Sequence, residues 1–202
     1  MDPAPVRRDV ARNRRALLDA ARAVVAEHGP DVPLDEIARA AGVSRTTLHR
    51  HFADRDALAA AVLRENVEDI EAWAAELAGR ADGAEVLFHR ILDVQVGSPW
   101  LARLEDRARA GGEAGPGELG DLATRTRAAL AALVPPAAAA GTLRPGVTAE
   151  DLLLAMPMMM AALEVARRTP GQGELARARR ILHAGLFTTP APRGSGSASR
   201  NT

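Results

Sequence analysis

The sequence predicts an all-α protein, and three observations predict it. Apolar residues recur at helical spacing along nearly the whole chain, as in Leu17, Ala20, Ala21 and Val24. No run alternates β-branched with polar residues as a half-buried strand would, and tyrosine is absent. Glycines and prolines punctuate the chain into about nine helical segments, the first three of them compact.

Taken in order, the first helix runs from about Arg7 to His28 and stops at Gly29-Pro30. The second starts near Pro33, since proline suits a first turn where its missing N–H would be unpaired. Its inward positions are Leu34, Ile37 and Ala38, and Gly42 ends it by taking the left-handed conformation. Ser44 caps a third helix, and Asp54 caps a long fourth that reaches about Ala78. Further helices follow over Ala84 to Val96 and Pro99 to Ala110, then a Gly-rich loop from Gly111 to Gly117. Another runs from Glu118 to Val134 and stops at Pro135-Pro136. The stretch Thr148-Ala-Glu-Asp151 has the form of a capping box and opens a helix to Arg168. Gly171-Gln-Gly173 separates it from a last helix over Glu174 to Phe187. Residues 1–6 and 189–202 are rich in Pro, Gly and Ser and read as disordered ends.

At 202 residues, 47% hydrophobic and 26% charged, the composition is that of a globular protein with a sizeable core. No apolar run is long enough to span a bilayer, and no signal-peptide profile opens the chain. The absence of cysteine excludes disulfides, thiolate metal sites and cysteine nucleophiles, and a cytoplasmic location fits. No His-Glu-x-x-His, Gly-rich phosphate loop or Ser/His/Asp spacing supports catalysis, so the chain reads as neither an enzyme nor a cofactor carrier. The net charge is zero, but its distribution is uneven. Between positions 7 and 18, Arg7, Arg8, Arg12, Arg14 and Arg15 stand against Asp9 alone, and a phosphate backbone responds to such local charge.

Pro33 to Phe52 carries the chemistry. Ile37, Val43, Leu48 and Phe52 point inward and fix two short helices at an angle. Leu48 and Phe52 are one turn apart, so Thr46, Thr47 and Arg50 project from the opposite face, with Arg45 and His49 at its flank. Threonine can bond base edges or touch a thymine methyl, and arginine grips guanine O6 and N7 as a bidentate pair. Ser44 and the N–H groups behind it suit a phosphate, and the basic start of the chain suits the backbone or minor groove. His49 and His51 diverge on a helix and make a poor metal pair, so no metal site is assigned.

The run from Leu34 to Leu58, with its turn glycine, inward aromatic and following helix in order, resembles the N-terminal domain of TetR-type transcriptional regulators over about residues 10–68. The resemblance implies a homodimer with a helix-turn-helix DNA-binding domain, here residues 7–53. A C-terminal helical domain over residues 54–188 would bind an unidentified small-molecule effector and dimerise. The implied DNA-binding residues are Arg7, Arg8, Ser44, Arg45, Thr46, Thr47, His49, Arg50 and Arg55, and the implied partner is double-stranded operator DNA. The chain departs from the family at Pro33, where threonine is frequent, and at His49, where tyrosine is usual. Thr46 stands at a position often glycine or alanine, and Arg55 at one often lysine.

In the C-terminal half the resemblance implies an effector cavity among the fourth to eighth helices. Its expected lining is Trp73, Phe88, Leu92, Gln95, Trp100, Met156 and Met159, methionine being adaptable and Gln95 offering an amide among apolar walls. Pro157 introduces a kink that opens space beside it. His89, Asp93 and Glu105 read as exposed helix residues. The last two helices are implied to form a four-helix dimer interface. One stripe is Leu152, Met156, Met159, Met160 and Leu163, and the other Leu175, Ile181, Leu182, Gly185 and Leu186. Two alternatives stand beside this reading: a helical small-molecule-binding protein, and an architectural DNA binder without effector control.

Overall fold

A computed structural model describes residues 4–28, 32–97, 118–168 and 173–188, with only the backbone described at 4–8, 26, 118 and 119. Among the described residues there are eight helices: α1 (Ala4–His28), α2 (Leu34–Ala40), α3 (Arg45–His51), α4 (Arg55–Glu76), α5 (Gly83–Gly97), α6 (Glu118–Ala139), α7 (Ala149–Arg168) and α8 (Glu174–Leu186). The expected helix over Pro99 to Ala110 and the expected disordered tail lie outside the described residues. None of the helices is long and apolar enough to cross a membrane.

Two apolar cores form, and α4 belongs to both. Leu17, Leu18, Ala21 and Val25 of α1 pack with Ile37, Leu48, Phe52 and the first half of α4, from Leu58 to Val67. The second core gathers Ile70, Ala74 and Leu77 of α4 around Leu87, Phe88, Leu92, Leu130, Leu133, Leu152 and Phe187. The first core thus continues past residue 53 into α4, and it also takes in Leu122 from the start of α6.

Polar clamps hold these layers in register. Arg22 of α1 donates to the buried Asn66 of α4 at 3.0 Å and pairs with Glu65 at 3.1 Å. Arg125 of α6 grips Glu71 of α4 with two N–H bonds of 2.8 and 2.7 Å, which hold the Glu71 carboxyl below its ordinary range. After α8, Phe187 bridges back to Leu143, and Arg144 and Thr188 donate backbone N–H groups to Leu186 and Thr142. This short clasp fastens the end of α8 to the α6–α7 loop.

The element boundaries correct the sequence reading at three places. The first helix begins at Ala4, ahead of Arg7, with Pro5 in its first turn where proline costs no hydrogen bond. Pro33 is the extended residue preceding α2, with φ −60° and ψ 143°, and lies outside the first turn. α6 runs through Pro135-Pro136 to Ala139. The prolines free the carbonyls of Ala131 and Ala132, and both of those residues are exposed, where water can replace the lost bonds. α7 runs to Arg168 as expected, with Pro157 inside it and exposed. The expected capping box does open α7: Thr148 N–H meets Asp151 Oδ2 at 2.8 Å, and Thr148 Oγ1 accepts the Asp151 N–H at 3.4 Å.

Candidate nucleic-acid interface

The turn between α2 and α3 is fixed by backbone geometry. Gly42 has φ +68°; its N–H reaches the Arg39 carbonyl at 3.1 Å, and that of Val43 reaches Ala38 at 3.0 Å, closing the helix in a Schellman motif. Two residues on, Ser44 caps α3: its Oγ accepts the Thr47 N–H at 3.1 Å and lies 2.9 Å from Thr47 Oγ1. Leu48 is fully buried and Phe52 nearly so, which anchors α3 on the first core.

That anchoring leaves Thr46, His49 and Arg50 exposed at i, i+3 and i+4, with Arg45 beside them. Thr47 departs from its expected place on this outer face, because it is half-buried and its hydroxyl is engaged with Ser44. Arg45 pairs with Asp35 of α2 at 3.2 Å, an exposed contact that ties the two helices weakly. The resulting face carries the Arg50 guanidinium, the Thr46 hydroxyl and the His49 imidazole, flanked by Arg45, on a helix narrow enough for a major groove.

Residues 17–62, which include this whole unit, match the family described as bacterial regulatory proteins of the tetR family. This stretch is similar to the N-terminal regulatory domain of the tetR family. Over 86 aligned residues the chain is 41% identical to the HTH-type transcriptional repressor LfrR of Mycolicibacterium smegmatis, covering 42% of this chain and 44% of that protein. The chain therefore spans less than half the length of this curated relative in that match. Over the fold, the TetR transcription regulatory protein from Mycobacterium vanbaalenii is similar with a TM-score of 0.60 and 27% identity, covering 91% of this chain and 99% of that one. LfrR from Mycobacterium smegmatis in complex with proflavine is similar with a TM-score of 0.56 and 26% identity, covering 89% and 98%.

The other expected DNA residues fall in different settings. Arg55, at the start of α4, is half-buried and donates to the Val32 carbonyl, so it braces the approach to α2. Arg7 and Arg8 lie in the early turns of α1, and their side chains lie outside the described residues. Sequence reasoning missed a cluster beneath α3. The Arg14 guanidinium sits 4.9 Å from the Phe52 ring centroid, and His51 packs beside Phe52. Burial pushes the His51 imidazole below its ordinary pKa, with Arg50 and Arg14 adding repulsion. Its Nε2 is buried without a hydrogen-bond partner among the described residues.

The expected effector-pocket residues converge in part. Phe88, Leu92, Met156 and Met159 are buried together in the second core, and Trp73 packs on its edge under the Arg90 guanidinium, 5.5 Å from its ring. Gln95 is half-buried on the same helix as Phe88, and its Oε1 is buried with no partner among the described residues. Trp100 and Glu105 lie outside the described residues. Asp93 is exposed as expected and pairs with Arg179 at 2.7 Å.

His89 is a correction. It is buried against α8, where its Nε2 meets His183 Nδ1 at 3.0 Å and its Nδ1 accepts the Arg179 Nε–H at 3.2 Å. Burial, with Arg179 and His183 beside it, lowers its pKa to about 4. No local sequence signal announces this, since its partners lie 90 and 94 positions away.

The dimer stripes also need revision. Leu152 and Leu182 are buried in the protomer's own core, and so are Met156 and Met159, which leaves these four little surface for a second copy. Met160, Leu163, Leu175 and Leu186 are half-buried. The large apolar side chains that α7 and α8 expose are Leu154 at 62%, Met158 at 53%, Val165 at 54% and Ile181 at 65%. The stripe expected from sequence falls largely on the inward faces of α7 and α8, because the same periodicity serves the face against the protomer's own core.

Proposed function

We propose that the chain is a dimeric DNA-binding transcriptional regulator, a repressor released from a near-palindromic operator by a small-molecule effector. The observation that carries this reading is the exposed Thr46, His49 and Arg50 face of α3, held outward by the Gly42 turn, the Ser44 cap and the Leu48 and Phe52 anchors. Arg50 reads a guanine, Thr46 a base edge or methyl, and His49 donates to a phosphate. Similarity to a repressor, LfrR, supports regulation over catalysis.

Two-fold pairing through Leu154, Met158, Val165 and Ile181 would place two α3 helices in successive major grooves. Exposed apolar side chains on two packed helices support that surface. The effector half of the proposal draws on the LfrR complex with proflavine and on Gln95, an amide beside apolar walls whose buried oxygen has no partner among the described residues. An effector acts only by binding one arrangement of the dimer better than the other. α4 is the lever, because its two halves belong to the two cores.

A second reading, DNA binding without effector control, is favoured by the close mutual packing of Phe88, Leu92, Met156 and Met159. Selection of an operator from random duplex DNA, followed by a screen for compounds that release it, separates the two. An operator with inverted half-sites and a releasing compound supports the repressor. An operator that no compound releases supports the second reading, and failure to select any sequence overturns both.

A further inference from the structure

We propose that Glu85, His89 and His183 form a binding site for one divalent cation of the zinc class at the seam between α5 and α8. Glu85 and His89 are four residues apart on one face of α5, and His183 faces them from α8. One donor atom from each lies within 4.8 Å of the others. In a tetrahedral shell with bonds of about 2.0–2.1 Å, neighbouring donor atoms stand roughly 3.3 Å apart. His89 Nε2 and His183 Nδ1, at 3.0 Å, already have nearly that separation. The half-buried Glu85 carboxylate must close by up to about 1.5 Å to complete the set. Two imidazoles and a carboxylate suit zinc and its neighbours better than magnesium or calcium, and leave a fourth position for water. Phe88 and Phe187 pack against the two imidazoles and keep that part of the shell apolar.

Arg179 gives the site a distinctive signature. Its Nε–H points at His89 Nδ1, so His89 carries its proton on Nε2 and shares it with His183 Nδ1. A cation needs the lone pairs on both of those nitrogens. On binding, the His89 proton moves from Nε2 to Nδ1, no proton leaves the protein, and the Nε–H of Arg179 must turn away. Arg179 keeps its bonds to Asp93 at 2.7 Å and to the His89 carbonyl at 3.1 Å as a mooring. It is therefore a competitor of the cation, whereas an amide at position 179 would accept the new Nδ1–H and support it.

The test is a titration of the chelator-stripped full chain with zinc chloride against a competing chromophoric chelator, repeated with cobalt(II) to read its absorption. The wild type should hold one zinc per chain with a tetrahedral cobalt spectrum. Glu85→Gln should weaken zinc at least tenfold, while Arg179→Gln should tighten it severalfold. His49→Ala combined with His51→Ala should leave affinity unchanged, which separates the seam from the histidines of α3. Circular dichroism of each apo variant reports that it is folded. Absence of zinc binding, zinc binding indifferent to Glu85→Gln, an Arg179→Gln variant that binds no tighter, or loss of the zinc with the α3 histidines would each overturn the proposal.

Discussion

Arg50 is exposed on the outer face of α3, so its removal should cost DNA affinity without costing stability. Arg50→Ala should weaken binding to a selected operator by about 1–3 kcal/mol, and weaken random duplex far less. Equal losses on both, measured by fluorescence anisotropy, would assign Arg50 to the backbone alone. Gly42 is the converse case, structural and remote from any base. At φ +68° a β-carbon meets no neighbour, so Gly42→Ala carries the strain of the left-handed backbone alone, about 1 kcal/mol, read as a lower melting temperature. His51 carries a pH dependence whose sign follows from its lowered pKa. As pH falls through about 6.5 the unfolded chain takes up a proton that the folded chain still refuses. The His51 contribution to stability is complete above that pH and is lost as pH falls toward the folded pKa. A proton NMR titration should place His51 below the ordinary histidine value, and Arg14→Gln should raise it; a midpoint at or above 6.5 in the wild type would contradict the burial seen beneath α3.

At the scale of elements, the first four helices were legible and the last three less so. Gly42, Ser44 and Asp54 act through bonds within a few residues, so their caps and turns are written locally. Pro135-Pro136 misled because a helix can carry proline where the freed carbonyls meet water, and exposure is a property of the assembled fold. The buried state of His89 and the inward turn of Leu182 depend on contacts between α5 and α8, which sequence periodicity cannot distinguish from contacts with a second copy. That distinction is measurable. Ile181→Asp should halve the mass in solution while keeping the melting profile close to wild type, because Ile181 is exposed in the protomer. Leu182→Asp, placing a charge in the core, should unfold the chain. A folded Leu182→Asp monomer would restore the stripe expected from sequence.

For the whole molecule, the candidate DNA-binding face and the candidate effector region are joined by α4, by Leu122 in the first core and by the Arg125–Glu71 pair. The N-terminal domain was legible because its function is displayed by a handful of residues within one short stretch. The C-terminal half was not, because a buried methionine or phenylalanine looks the same in a pocket and in a packed core. The central claim, that this chain binds duplex DNA through α3 and the charge around it, is tested most directly by its affinity for duplex DNA across a range of salt concentrations. The account predicts that the logarithm of the association constant falls steeply and linearly with the logarithm of salt, and that Arg50→Ala lowers affinity at every concentration. Affinity that is absent at low salt, or that does not change with salt, would contradict it.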